Sequence, residues 1–535
     1  MTSARKVCGA WVGRPRAGSG RPWTVAGALV LALLLSACAT TPVELPERPP
    51  AQSALAPQPG DAFEQIETEI TARHGPASSG FALLDRNEDA LRWRLALIDA
   101  ARYSVDLQYY LWYGDATGKV MTKHVLDAAD RGVRVRIIVD DINTMISDAA
   151  TVMQRDSRAA LLDAHPNIEL RLYNAWRNRA IVDRVGEALS EMERLNQRMH
   201  NKALIVDNRA AIVGGRNLGD DYMGLHEAFN FHDLDVLGIG PVARQVSEVF
   251  DTFWNSAWVL PVAALGIEPS QQDKDAALAH LNEALAGLDV LERFPLERED
   301  PTDAIAALAG RLHVGTSRMF TDLPTDDTIQ REMIHLIYGL LDTAEREVLI
   351  TNAYIIPGER AIDNLARLGE RGVAVRILTN SLASHDVPAV NSHYKKSRKP
   401  LIRAGADLYE MRHDAAIKPL VADTPPTESE FMGLHTKAVV VDRERAYIGS
   451  MNFDPRSAAI NTEMGIVIES PSLSVELAEL MERDMQPANS WHVQLDEDGN
   501  LYWESSDAVV TSQPARSFWQ RVQDVFFMMF PEEMY

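Results

Sequence analysis

Arg198-Met-His-Asn-Lys-Ala-Leu-Ile-Val-Asp207 has an echo in this chain, Gly433-Leu-His-Thr-Lys-Ala-Val-Val-Val-Asp442. In each copy one residue separates His from Lys, and four apolar residues separate Lys from Asp. Each copy then turns into small residues, Gly214-Gly215-Arg216-Asn217 in the first and Gly449-Ser450-Met451-Asn452 in the second. The interval from His to Asn is 17 in both (217 − 200 and 452 − 435). Two polar constellations at one repeated spacing predict an internal duplication.

The apolar runs 203–206 and 438–441 are short and β-branched, which predicts buried strands. Side chains alternate along a strand, so His200 and Lys202 share a face, as do His435 and Lys437. Two imidazoles, two ammonium groups and two Asn amides then surround one donor-rich site. Such a site suits a phosphate oxyanion and offers a nucleophile and a proton donor. Outward from each motif the plan repeats. Helix 90–101, strand 104–112, helix 119–131 and strand 133–140 are matched by helix 332–344, strand 347–354, a further helix and strand 371–380. Arg131-Gly132-Val133 answers Arg371-Gly372-Val373. Strands alternating with helices predict α/β layers.

These residues resemble the paired HxKxxxxD motifs of the phospholipase D superfamily. The words Asn217-Leu-Gly-Asp-Asp-Tyr222, Asn452-Phe-Asp-Pro-Arg-Ser457 and Asn461-Thr-Glu-Met464 are similar to bacterial cardiolipin synthases of the C type. The resemblance runs from about residue 82 to the C-terminus. It implies an α/β fold of two duplicated sandwich halves packed around one active site, at 61–265 and 306–470. A helical connection at 266–305 and a C-terminal hairpin with an amphipathic helix at 471–535 complete the body. It implies a phosphatidyltransferase making cardiolipin through a phosphatidyl-histidine. His200 is then the nucleophile and His435 the general acid, later the base, a choice that motif symmetry alone does not make. Lys202, Lys437, Asn217 and Asn452 would hold the phosphate oxygens where charge develops. Asp207 and Asp442, at the far strand ends, are expected to orient strand and turn. Asp233 and Glu463 are the expected orienters of the histidines, and the resemblance allows them to cross between halves. Tyr109, Tyr110 and Tyr354 at strand ends, with Tyr394 and Arg398, are substrate-side candidates. No cofactor is expected, and no histidine pair outside the motifs has metal-ligand spacing. Hydrolysis, as a phospholipase or nuclease, and a binding protein without activity remain the alternatives.

The chain has 53 Lys+Arg against 76 Asp+Glu, a net charge of −23. That balance disfavours nucleic acid, whose binding rests on phosphate neutralisation. The N-terminus reads as a lipoprotein signal over 1–37. Arg5, Lys6, Arg14, Arg16 and Arg21 precede an apolar run, 26–35, too short to span a bilayer. It ends in Leu35-Ser36-Ala37-Cys38, which resembles a bacterial lipobox, with Cys38 carrying the lipid. Residues 38–60 are Pro-rich and read as a tether. The expected place is the bacterial envelope, lipid-anchored and facing the periplasm, with the outer membrane favoured over the inner. The expected substrates are phosphatidylglycerol and phosphatidylethanolamine, with room for an accessory protein. The charged insert 175–197 reads equally as a lid or as a solvated helix. Residues 491–503 predict a hairpin turning at Asp498-Gly499. Phe518, Val522, Val525, Phe526 and Met529 form one helical stripe, a pattern that favours core packing over membrane contact.

Overall fold

A computed structural model describes residues 49–141, 159, 161–177, 187, 190–265, 270–295, 301–325 and 328–529. The leader, Cys38 and residues 178–186, 188 and 189 of the expected lid lie outside them. The chain forms two compact units, residues 46–176 with 193–535, and residues 1–45 with 177–192. In the smaller unit the Arg177 backbone N–H donates to Glu187 Oε1 at 3.0 Å, and its guanidinium pairs with Glu191 at 2.7 Å.

The larger unit is built on one eighteen-stranded sheet. Its centre is an antiparallel seam between Ser78–Leu84 and His313–Thr321, with Ser79 opposite Gly315. Outward on one side lie Asp235–Ile239, Ala210–Gly214, Ala203–Val206, Ser104–Tyr109, Arg134–Asp140, Ile168–Tyr173 and Val259–Pro261. On the other lie Met464–Glu469, Arg445–Gly449, Lys437–Val441, Glu347–Asn352, Ala374–Asn380, Ala406–Met411 and Ser490–Leu495. The second list repeats the first strand for strand, so the expected α/β duplication holds, and one sheet runs through both copies.

The motif strands sit mid-ladder and are buried along their length, which is why they read as unbroken apolar runs. Each ends in a two-residue turn with positive φ at both central positions, 51° and 53° at Asp207 and Asn208, 55° and 57° at Asp442 and Arg443. That conformation matches the twist of paired strands, and Asp and Asn tolerate it. Helices Pro241–Trp254 and Pro471–Asp484 follow equivalent strands, each with proline in the first turn. Each packs across the seam. Gln245 Nε2 donates to Ser317 O at 3.0 Å, and Glu476 pairs with His313.

Three expectations are corrected. The first inner strand ends at Tyr109, because the chain then turns to bridge Trp112 to Leu218. Residues 49–60 are pinned along the first half. Gln52 N donates to Asn255 Oδ1 at 2.9 Å and Tyr103 Oη donates to Pro59 O at 2.8 Å. The connection between halves, expected to be helical, carries the helix Gln271–Ala286, capped by a reciprocal Ser270–Asp273 pair and largely exposed. The last correction concerns the helix Phe518–Phe527, whose apolar stripe faces outward. Phe518 is 79% exposed, whereas Asp524 is 1% exposed. Asp524 accepts from Asn391 Nδ2 at 2.6 Å and from Lys395 Nζ at 2.7 Å, so the polar side docks. The tail hairpin pairs Val493 with Trp503, and Gly499 takes a positive φ at its turn.

Candidate active site

The two motifs meet because the halves exchange short parallel pairings. Met199 bridges Thr462, and Phe431–Leu434 pairs with Phe229–His232, which sets Leu434 beside His232. The residue before each motif histidine therefore lies beside the residue before the other half's carboxylate. Backbone N–H groups clamp the register. His200 donates to Thr462 O at 2.9 Å and His435 to His232 O at 2.7 Å.

Each imidazole is oriented through Nδ1 by the opposite half. His200 Nδ1 lies 2.9 Å from Glu463 Oε2 and 3.1 Å from the Ser450 carbonyl. His435 Nδ1 lies 2.5 Å from Asp233 Oδ2. A carbonyl only accepts, so Nδ1 of His200 carries hydrogen and Nε2 its lone pair. No described residue hydrogen-bonds either Nε2. Tyr110 packs edge-on against His200 at 5.0 Å, and Tyr222 against His435 at 5.2 Å. Phe231 and Tyr354 complete the wall around His435.

Lys202 Nζ donates to the carbonyl of His200 at 2.6 Å, and Lys437 makes the equivalent bond to His435. Each also lies beside an aromatic ring, Tyr110 and Tyr354 respectively. Asn217 Oδ1 accepts from Leu111 N at 3.2 Å. Asn452 is buried with Oδ1 unpartnered. Asp207 accepts from the backbone N–H groups of Arg102, Tyr103 and Ser104, and Asp442 from those of Glu345, Arg346 and Glu347. Both aspartates tie the motif turn to the start of the neighbouring inner strand.

Burial and four mutually close basic side chains set the electrostatics. Burial drives His200 well below its usual range, helped by Lys202, Lys437 and His435. Burial and Lys437 bring His435 down to about 4. Burial lowers Lys202 strongly and Lys437 to about 8. The carboxylates diverge. Burial would raise Asp233, but His435, Lys437 and Arg216 outweigh it and hold it at about 2. Burial raises Glu463 to about 7 against Lys202 and Ser450. His435 thus faces a fully ionised partner and His200 one that titrates near neutrality.

Three candidates fall elsewhere. Tyr109 is buried beneath the sheet and accepts from Arg94 Nε at 3.2 Å, while its neighbour Tyr110 meets the histidine. Tyr394 and Arg398 both bond Glu410, at 2.9 and 2.5 Å, in a buried cluster with Trp503. Their polar groups are engaged beneath the tail hairpin, where Trp503 also donates to Glu410 at 2.9 Å. Tyr354 does line the site, its hydroxyl donating to Asp386 at 2.6 Å and its ring stacked on His385. Sequence reading passed over Arg216, whose guanidinium donates to Asp235 at 3.0 Å and to the Asp233 carbonyl. Nothing at that position is repeated in the second motif, which has Met451, so the duplication hides it. Among the described residues no group of three or more His, Cys, Asp or Glu is placed to hold a metal.

A duplicated sheet with two histidines, each held by a carboxylate of the opposite copy, defines the phospholipase D-like class. The family model for "Cardiolipin synthase, PLD-like domain" matches residues 95–254 and again 337–485, and the chain belongs to that family. It is 33% identical to cardiolipin synthase C of Escherichia coli (strain K12) over 472 residues, 86% of this chain and 96% of that one. It is 24% identical to cardiolipin synthase A of Pseudomonas syringae pv. syringae, over 84% of this chain and 77% of that one. Among solved structures it resembles phosphatidylserine synthase of Haemophilus influenzae Rd KW20 in fold, with a TM-score of 0.51 and 13% identity, over 79% of this chain and 91% of that one.

Proposed function

We propose that the chain is a phosphatidyltransferase that makes cardiolipin. The observation that carries this reading is the pair of crossed His–carboxylate contacts, with neither Nε2 hydrogen-bonded by a described residue. Neutral His200 attacks phosphorus through Nε2. A bond forms between nitrogen and phosphorus, the bond to the departing alcohol breaks, and His435 supplies that alcohol's proton. Ionised Asp233 favours the protonated form of His435, while the weaker charge on Glu463 leaves His200 a free base, which supports this division of roles. The anionic phosphate entering between the rings counters the lysines and raises His435 toward its acid form. Lys202, Lys437, Asn217 and Asn452 hold the non-bridging oxygens. A hydroxyl of phosphatidylglycerol then attacks the phosphatidyl-histidine, its proton passes to His435, and His200 is released.

Phosphatidylglycerol serves as acceptor, and phosphatidylglycerol or phosphatidylethanolamine as donor. The relatives' names support this substrate class. The protein works in the bacterial envelope, facing the periplasm, on the outer membrane and tethered through Cys38. Replacing Cys38 by Ser should abolish labelling by a palmitate analogue. The direct test of function is lipid analysis after incubating the protein with phosphatidylglycerol alone and with added phosphatidylethanolamine. Cardiolipin is expected, and His200→Ala should form none and trap no phosphoryl adduct. Phosphatidic acid without cardiolipin would overturn transfer and leave hydrolysis.

A further inference from the structure

The second half contains an apolar cavity of about 330 Å³. Ile337, Ile350, Ala361, Leu365, Met451 and Phe453 form its walls. Met451 and Phe453 flank Asn452, so the cavity and the reaction site share a wall. Asp454 lies at its edge, where its charge acts on Lys437 and Tyr354. That carboxylate is already engaged, accepting from Ser457 N at 2.7 Å to cap the helix Pro455–Ala459.

Comparison of the two copies shows how the space arises. Trp112 pairs with Leu218 in the first half as Ile355 pairs with Phe453 in the second. In both, the following helix begins 12 residues after the start of the inner strand (116 − 104 and 359 − 347). In the first half that helix is drawn tight. Trp112 Nε1 donates to Gly118 O at 3.2 Å, and a Cβ on Gly118 would lie 1.8 Å from Tyr113 O. In the second half the counterpart of Gly118 is Ala361, which lines the cavity, and an isoleucine replaces the indole. A Cβ on Gly358 would meet nothing within 4 Å. The second helix stands off where the first is sealed.

We propose that this cavity receives one acyl chain of the phospholipid whose phosphate reacts at the histidines. The inference rests on the phosphatidyltransferase reading. An apolar cavity stays dry and takes hydrocarbon, and one of ~150 Å³ holds benzene. About twice that volume accommodates roughly a dozen carbons, most of an acyl chain. Among the described residues the one charged wall residue is the capping Asp454, so the space suits a chain and not a headgroup. The shared wall lets one lipid place its phosphate beside Asn452 and its tail in the cavity.

The test uses the full chain in phosphatidylglycerol membranes containing a phosphatidylglycerol with a diazirine at its acyl terminus. Irradiation is expected to place adducts on the peptides around Ile337 and Leu365, with or without the additional change His200→Ala. Ala361→Trp, which fills the cavity, should reduce those adducts at least tenfold. It should also lower the ratio of kcat/KM for dioleoyl over dihexanoyl phosphatidylglycerol by tenfold or more. Ile355→Trp, which restores the first-half residue, should do the same, and the melting temperature of each variant reports whether it folds. Adducts scattered outside the cavity, or equal labelling in folded variants, would overturn the inference even if cardiolipin forms. Because cross-linking requires no turnover, failure of the transferase reading would show separately, as cavity labelling without product.

Discussion

Gly215 and Ser450 occupy equivalent motif positions, and the difference follows from the carboxylate each faces. A Cβ on Gly215 would fall 2.3 Å from Asp233 Oδ1. Ser450 instead donates its hydroxyl to Glu463 at 2.5 Å. The shorter Asp draws its backbone in and leaves room for hydrogen only. Gly215→Ala should therefore displace the partner of His435 and lower kcat by about 100-fold, the scale of an ångström-level misplacement. Ser450→Ala, which removes one contact to Glu463, should cost less. Steady-state kinetics on the two variants checks the order. Lys437 supplies a pH signature. It is protonated below about 8 and loses its charge above. kcat/KM, which reports the free enzyme, should fall as pH rises through that value. Lys437→Arg keeps its charge throughout, so the alkaline limb should move to higher pH even as the plateau drops. A limb that stays in place would assign it to another group. Asp442 carries no proton in this scheme. Asp442→Ala strands three backbone N–H groups and should cost about 3 kcal/mol, read as a lower urea midpoint.

At the scale of elements, polarity follows anchoring. The helix Phe518–Phe527 has a clear apolar stripe, yet the groups that fasten it are Gln520 and Asp524. Gln520 Nε2 donates to Leu382 O at 2.5 Å, and Asp524 pairs with Lys395. Periodicity alone cannot say which face docks, because a buried carboxylate with a cationic partner competes with apolar burial. Asp524→Ala leaves Lys395 unpaired and should loosen this helix by about 3 kcal/mol. Faster amide exchange over 518–527, with the rest of the chain unchanged, is the expected observation. The strands behaved differently. Ala203–Val206 and Lys437–Val441 were legible because strands buried on both faces show continuous β-branched runs. The apolar pattern of 104–112 runs past Tyr109, where the ladder ends, so periodicity overstates that strand.

For the whole molecule, the site exists only where the halves join. His200 depends on Glu463 and His435 on Asp233, each from the other copy. Halves produced separately, divided within the connection at 266–305, should each be inactive by at least 10³-fold. Co-expression should recover turnover if the seam between Ser78–Leu84 and His313–Thr321 re-forms. Activity from either half alone would contradict a crossed site. In the proposed mechanism the lysines supply positive charge to the phosphate, so turnover should also survive EDTA. Loss that a divalent ion restores would contradict this.

The duplication, the α/β class, the two HxKxxxxD motifs and the superfamily they resemble are legible in the sequence alone. Those features are local or repeated, so spacing and periodicity carry them. The sequence also points to Asp233 and Glu463 as partners of the histidines. That each carboxylate sits on the opposite half's histidine is a property of the folded chain, because the pairing depends on strands of the two copies running in parallel across the interface. The same holds for Tyr110 and Tyr222 against the rings, Arg216 behind Asp233, and Tyr394 with Arg398 turned to Glu410. Tyr222 reaches His435 across the copies, whereas the others join different elements of one half, and none leaves a periodic trace in the sequence.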